Sequence, residues 1–198
     1  MPLSLVGSEM CIRDRIEIIP GVEMSVSWYD LELENPFAGI HLLIYFLKKD
    51  TPIYELLSKI RIEKKNRNYE ILEKLKKVGV EIERKELDDL KTKVPGRPHI
   101  ANLMKSKGYV ASLNEAFKEY LGNGKVGDSR IHQNPIEEVI DCAKESKCLV
   151  FLAHPHTLMS NKDYSFSKNW YDSAFVDRLR SLKNLGIHGV ETYYSSYS

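Results

Sequence analysis

Leu152-Ala153-His154-Pro155 closes an apolar run, Cys148-Leu149-Val150-Phe151-Leu152-Ala153. A short apolar run bounded by polar residues reads as a strand buried on both faces. An imidazole at the carboxyl end of such a strand stands where α/β enzymes place ligands and catalytic groups. Pro155 has no N–H, so the strand ladder stops there. A buried histidine bonded to backbone is the other reading of this phrase. Two further groups occupy predicted strand positions: Glu23, after the Gly21-Val22 turn, and His41, inside the apolar segment Ile40 to Leu47. One carboxylate and two imidazoles form a ligand set suited to Zn, Mn or Fe. Against this stand a strand-edge surface role for Glu23 and a satisfied, half-buried role for His41.

A second group is cationic. Pro95-Gly96-Arg97-Pro98-His99 leads into a predicted helix. Unpaired backbone N–H groups in a first turn attract phosphate. Arg97 can fork onto phosphate oxygens and His99 can add a donor. Gly122-Asn123-Gly124-Lys125 is a glycine-rich loop that presents a lysine. An ordinary helix start and a helix stop followed by a surface lysine are the plain alternatives. The cluster Arg61, Lys64, Lys65 and Arg67 reads as a solvated face, or as one that touches an anion.

These groups need elements to hold them. Ile16 to Pro20 enters as a strand, turns at Pro20-Gly21 and resumes through Val26, and Ile40 to Leu47 pairs with it. Asp30 to Gly39 reads as the hairpin loop. Thr51-Pro52 opens a helix whose apolar stripe includes Ile53, Leu56, Leu57 and Ile60. The stripe fades near Asn66 and returns at Ile71, Leu72, Leu75 and Val78, so this is one long helix or two. Three short helices follow: Pro98 to Lys107, one opened by the capping box at Ser112, and one from Pro135 to Glu145. The second carries Leu113, Ala116, Phe117, Tyr120 and Leu121. After the His154 strand come a polar loop to Trp170, a helix from Asp172 to Leu185 and a strand from Ile187 to Glu191. Strand, helix, strand implies a parallel crossover, so the fold class is α/β.

Composition narrows the function classes. A chain of 198 residues suits one domain, or one domain with an insertion. Its 42% hydrophobic and 29% charged residues are an ordinary globular mixture. A net charge of +1 gives no global electrostatic case for nucleic-acid or membrane binding. Cys11, Cys142 and Cys148 form no metal-type pair, and their odd count suits a reducing cytoplasm rather than a disulfide framework. No apolar run reaches the roughly 18 residues that span a bilayer.

As a set, Ile19-Pro20-Gly21-Val22-Glu23-Met24-Ser25, Ile40-His41-Leu42-Leu43, Gly96-Arg97-Pro98-His99-Ile100-Ala101, Tyr120-Leu121-Gly122-Asn123-Gly124-Lys125 and Leu152-Ala153-His154-Pro155 resemble the PHP (polymerase and histidinol phosphatase) phosphoesterases. The match runs from about Ile16 to Tyr194 and looks most like the nucleoside-bisphosphate phosphatase and 5′-to-3′ exoribonuclease branch. The resemblance implies a partial distorted β/α barrel with a small helical subdomain inserted at about residues 50–133. It implies Glu23, His41 and His154 as metal ligands, and Arg97, His99 and Lys125 as substrate phosphate groups. It also implies divalent metals (Mn, Fe, Zn or Mg) in a multinuclear centre. Water activated on these metals would attack phosphorus in line, with Arg97 neutralising charge on the phosphoryl oxygens. The substrate is then a phosphorylated small molecule or short nucleic acid, with no membrane and no obligate protein partner. Val126-Gly127-Asp128-Ser129-Arg130 departs from the tyrosine- or valine-rich strand usual after Lys125, and His156 matches no ligand position.

The ends carry their own expectations. Met1 to Arg15 has no clear period and reads as a non-native leader, leaving 16–198 as a partial PHP-like domain. The His-x-His strand and Thr-Asp-His-Asp turn that begin the family, and the Gly-Ser-Asp-x-His segment that ends it, do not occur in the sequence. A truncated gene product, inactive by itself, is therefore expected. The alternatives are another PHP branch, such as histidinol phosphatase, and a non-catalytic anion- or RNA-binding module. The helical insertion weighs against the first. The second would bind without metal and weaken steeply with salt.

Overall fold

The computed structural model describes residues 18–30, 35–92, 94–129, 133–158 and 173–193, without the side chains of 30, 35–39, 173 and 174. The leader expected at Met1 to Arg15 and most of the polar loop before Trp170 lie outside the described residues. The chain divides into two compact units. One comprises Leu57–His132, and the other comprises Leu3–Leu56 with Gln133–Ser198.

The second unit is built on a mixed four-stranded sheet in the order β1-β2-β3-β4. Its strands are β1 (Gly21–Asp30), β2 (Asn35–Tyr45), β3 (Leu149–Leu152) and β4 (Gly189–Val190). β1, β2 and β3 are antiparallel neighbours, whereas β3 and β4 run parallel. That parallel pair is the crossover expected around the helix Ser173–Leu185. Alternation in the sequence decides which side chains enter the core. Met24, Val26 and Trp28 of β1, and Ile40, Leu42 and Ile44 of β2, are buried on one face. The helix Ile136–Glu145 packs on β1 and β3 and buries Ile136, Val139, Ile140 and Ala143. Each buried Ile or Val side chain contributes about 1.5–3 kcal/mol of apolar burial.

Two strand expectations need correction. β1 and β2 run on to Asp30 and from Asn35, so most of the supposed hairpin loop is strand. Pro36 is tolerated because this end of β2 pairs with β1 alone, and an unpaired edge requires no N–H from it. β3 is not buried on both faces. Val150 and Leu152 are buried, whereas Leu149 is exposed and Phe151 half-exposed. The face shared by Phe151, Leu43, His41 and Glu23 is the open one.

The first unit is helical. In chain order the α-helices among the described residues are α1 (Pro52–Lys76), α2 (Arg84–Asp88), α3 (Arg97–Ser106), α4 (Leu113–Ala116, continued by a π-turn Phe117–Leu121), α5 (Ile136–Glu145) and α6 (Ser173–Leu185). The choice between one helix and two after Thr51 resolves as one, and the unit boundary falls within α1. Ile71, Leu72, Leu75, Val80, Leu87, Ile100, Met104 and Leu121 form the core of this unit. Val78 and Leu113, expected inward, are exposed, and Val80 is buried instead. α1 stops before Gly79, whose φ of +84° ends the helical periodicity before Val80 enters the core. At α4 the Ser112 hydroxyl accepts from the Glu115 N–H, but the Glu115 carboxylate accepts from Ala111 rather than closing the box on Ser112.

Candidate metal centre

β-sheet register brings Glu23 and His41 together. Ser25 lies opposite His41 and Leu43 lies opposite Glu23. Glu23 and His41 are therefore diagonal neighbours on one face, within reach of long side chains. His154 arrives from the end of β3, next to β2. The Ala153 N–H donates to the His41 carbonyl, 2.9 Å, as the last ladder bond before the chain turns.

The three side chains converge. His41 Nδ1 lies 2.7 Å from Glu23 Oε1 and 2.9 Å from His154 Nε2, and His154 Nε2 lies 3.4 Å from the same Glu23 oxygen. The two rings meet edge to face at 4.7 Å. The His154 side chain is 12% exposed, His41 33% and Glu23 47%, so the cluster is walled on one side and open on the other. A ring nitrogen carries at most one proton, so His41 Nδ1 cannot donate to Glu23 and His154 together. A proton shared among these groups, or a cation held by their lone pairs, would satisfy the triangle. Ligands about 2.1 Å from one ion lie roughly 3.0 Å apart in adjacent octahedral positions and roughly 3.4 Å apart in a tetrahedron. The 2.9 and 3.4 Å separations fall near those edges, and the 2.7 Å one is shorter. Donor type and spacing therefore fit a divalent ion.

His154 adopts a φ of 33°, in a region that non-glycine residues rarely occupy. Its N–H donates to Glu191 Oε2 at 2.7 Å, and its carbonyl accepts from the Thr157 N–H at 3.0 Å. Pro155–Leu158 follows as a 3₁₀ turn. His156, set aside as a loop residue, lies in that turn with its ring 5.9 Å from His154. Burial pushes the His156 imidazole below its ordinary value; His154 adds to this and Glu191 opposes it. Sequence reasoning passed over Glu191. The available signal was an acidic residue at the carboxyl end of a strand parallel to the His154 strand.

Arg97, His99 and Lys125 belong to the helical unit. The Gly96 N–H donates to His99 Nδ1, 3.0 Å, which leaves Nε2 as the protonated atom of a neutral ring. The His99 N–H already donates to the Gly96 carbonyl, and Pro98 has no N–H. The first turn of α3 thus offers side chains to an anion rather than the row of backbone donors expected from sequence. Arg97 Nη1 donates to the Leu121 carbonyl, 3.2 Å, and its guanidinium lies 6.0 Å from the Phe117 ring centre. Arg97 is thereby joined to the start of the Gly122–Lys125 loop. That loop is closed by Gly124 N–H donating to Asp128 Oδ2, 2.8 Å, with Lys125 exposed. In the basic cluster, Lys65 is paired with Asp88 at 3.2 Å and lines a groove with Arg61, Val94 and Pro95. Burial, then the charge of Arg97, lowers the Arg67 guanidinium from its ordinary value.

No family model matches the chain. Over 180 residues it is 28% identical to a 5′-3′ exoribonuclease of Haemophilus influenzae, covering 89% of this chain and 58% of that protein. It is also 28% identical over 164 residues to the 5′-3′ exoribonuclease Rnm of Escherichia coli, covering 78% and 49%. The chain is similar to these two enzymes. It spans about half to three fifths of the length of these curated relatives. Among solved structures, a Bifidobacterium adolescentis protein assigned as a metal-dependent phosphoesterase superposes with a TM-score of 0.66 at 18% identity, covering 94% of this chain and 61% of the other. An amidohydrolase from Chromobacterium violaceum, solved with sulfate and without metal, gives 0.63 at 20% identity, covering 93% and 61%. The chain's mixed α/β arrangement, a partial sheet with helices, is similar in fold to these structures. Among the described residues, no helix is long and apolar enough to cross a membrane.

Proposed function

We propose that this chain supplies part of the metal centre and the phosphate-binding groups of a metal-dependent phosphoesterase acting on nucleotides or short RNA. The observation that carries the proposal is the triangle of Glu23, His41 and His154, whose donor atoms all lie within 4.8 Å of one another. The exoribonuclease relatives support the substrate class. In this reading Glu23 Oε1, His41 Nδ1 and His154 Nε2 hold a divalent cation. Such an ion supplies Lewis-acid polarisation of a phosphoryl oxygen and lowers the pKa of bound water.

The chain's own residues do the rest. Glu23 brings negative charge to a half-open face, which favours cation capture. The low exposure of His154 fixes one ring against the sheet. In the helical unit, Arg97 presents its remaining guanidinium N–H groups to a substrate phosphate, anchored through Nη1 to Leu121. His99 Nε2–H adds a neutral donor, and Lys125 adds a point charge from an exposed loop. The residues Leu57–His132 are proposed as the insertion that carries these groups.

The test begins with metal. Titration of the chain with Mn²⁺ or Zn²⁺ should give saturable binding that His41→Ala and His154→Ala each weaken by at least about tenfold. Hydrolysis of a 5′-phosphorylated oligoribonucleotide by the protein to which the chain belongs should stop on addition of EDTA. Binding of that oligonucleotide unaffected by EDTA, with no turnover at any metal concentration, would instead identify a binding module.

A further inference from the structure

We propose that Glu191 is a positioning residue for His154: its carboxylate holds the backbone turn that aims the imidazole at Glu23 and His41. The proposal deepens the metal-site reading and rests on it. β3 pairing ends at Leu152, and the last ladder bond, Ala153 N–H to the His41 carbonyl, leaves the His154 N–H beyond the sheet. Pro155 brings no donor that could continue the ladder. At that point the chain enters a φ of 33°, which a side chain with a Cβ rarely adopts, and surrounding structure must impose it.

Three bonds impose it here. On the carbonyl side, Thr157 donates to the His154 oxygen from both its N–H (3.0 Å) and its hydroxyl (3.1 Å). On the amide side, the His154 N–H donates to Glu191 Oε2 at 2.7 Å, a charge-assisted bond of short length. Glu191 is itself fixed by the sheet. Its N–H donates to the Leu152 carbonyl, 2.9 Å, extending the parallel β3–β4 pairing by one residue beyond Val190. Neighbouring parallel strands thus set the carboxylate and the histidine amide in register. The His154 ring is then directed at His41 Nδ1, 2.9 Å away, by a peptide tied on both sides. Partners that orient a metal ligand commonly govern affinity by about 10–100-fold.

The experiment uses the chain with Zn²⁺ as probe. Glu191→Gln keeps an oxygen acceptor for the amide, and Glu191→Ala removes it. At unchanged far-UV circular dichroism, Glu191→Ala should bind Zn²⁺ about 10–100-fold more weakly, and Glu191→Gln should recover most of that loss. In the metal-free chain, the His154 amide proton should resonate well downfield, remain there in Glu191→Gln and leave in Glu191→Ala. Equal Zn²⁺ affinity in Glu191→Ala and parent overturns the proposal, as does a His154 amide proton at an ordinary shift in the parent. The amide reading in parent and Glu191→Gln decides the matter even where Glu191→Ala does not fold. Absence of Zn²⁺ binding by the parent sinks the metal reading instead, and the amide shift alone then judges the Glu191 bond.

Discussion

Asn68 offers the sharpest test of how the helical unit holds the Arg97 segment. It is fully buried in α1, and its Nδ2 donates to the Pro95 carbonyl at 2.6 Å. Pro95 lies two residues before Arg97, so this bond ties α1 to the entry of α3. Asn68→Ala removes the donor and leaves the Pro95 carbonyl without it. A buried polar group left unsatisfied costs about 1–3 kcal/mol. The truncation also removes packing atoms from a site with no exposed surface, so the upper part of that range is expected, about 2–3 kcal/mol. With a urea slope of about 1–3 kcal/mol per M, the midpoint should fall by roughly 1 M. Far-UV circular dichroism reads this directly, because the unit is helical. A change below about 0.5 kcal/mol would refute the reasoning, since it would mean that water reaches the Pro95 carbonyl without penalty. Asn68→Asp should be at least as damaging, because a carboxylate there would face the carbonyl without an N–H to offer.

Gly122→Ala places a Cβ 2.5 Å from the Phe117 carbonyl oxygen, whereas Gly124→Ala meets only open space at a φ of +74°. The first should cost about 1–3 kcal/mol through overpacking and the second about 1 kcal/mol through backbone strain, with thermal melting as the measure. Glu86 and Lys107 give a pH prediction. Two hydrogen bonds from Lys107, with a further one from the Glu83 N–H, hold the Glu86 carboxyl below its ordinary value of 4.5, and Glu86 holds Lys107 above 10.5. The depressed carboxyl contributes stability above its unfolded value that is lost as pH falls through the folded one. The raised amine contributes below 10.5 and loses that contribution as pH rises through its folded value. The pair is solvent-accessible, so the effect is shallow. Glu86→Gln should flatten both the acid and the alkaline limb of the melting-temperature profile, and an unchanged profile would contradict the assignment.

The local chemistry was legible along the chain. Strand alternation in Gly21–Asp30 and Asn35–Tyr45 marks which residues face the core, and the same period puts Glu23 and His41 on the opposite face. Pro155 marks the end of the His154 strand, and apolar spacing marks Ile136, Val139, Ile140 and Ala143 as the inner face of α5. These features depend on neighbours in sequence, so the sequence by itself determined them. Convergence did not follow from it. His154 reaches His41 only because β3 inserts beside β2 across more than a hundred residues, a pairing no local pattern encodes. The open face of β3, the engagement of the α3 first-turn donors and the Glu191 bond were likewise decided by tertiary structure. Each depends on which distant backbone lies alongside. Hydrogen-bond registers between strands fix donor atoms to a few tenths of an ångström, and one-dimensional periodicity cannot.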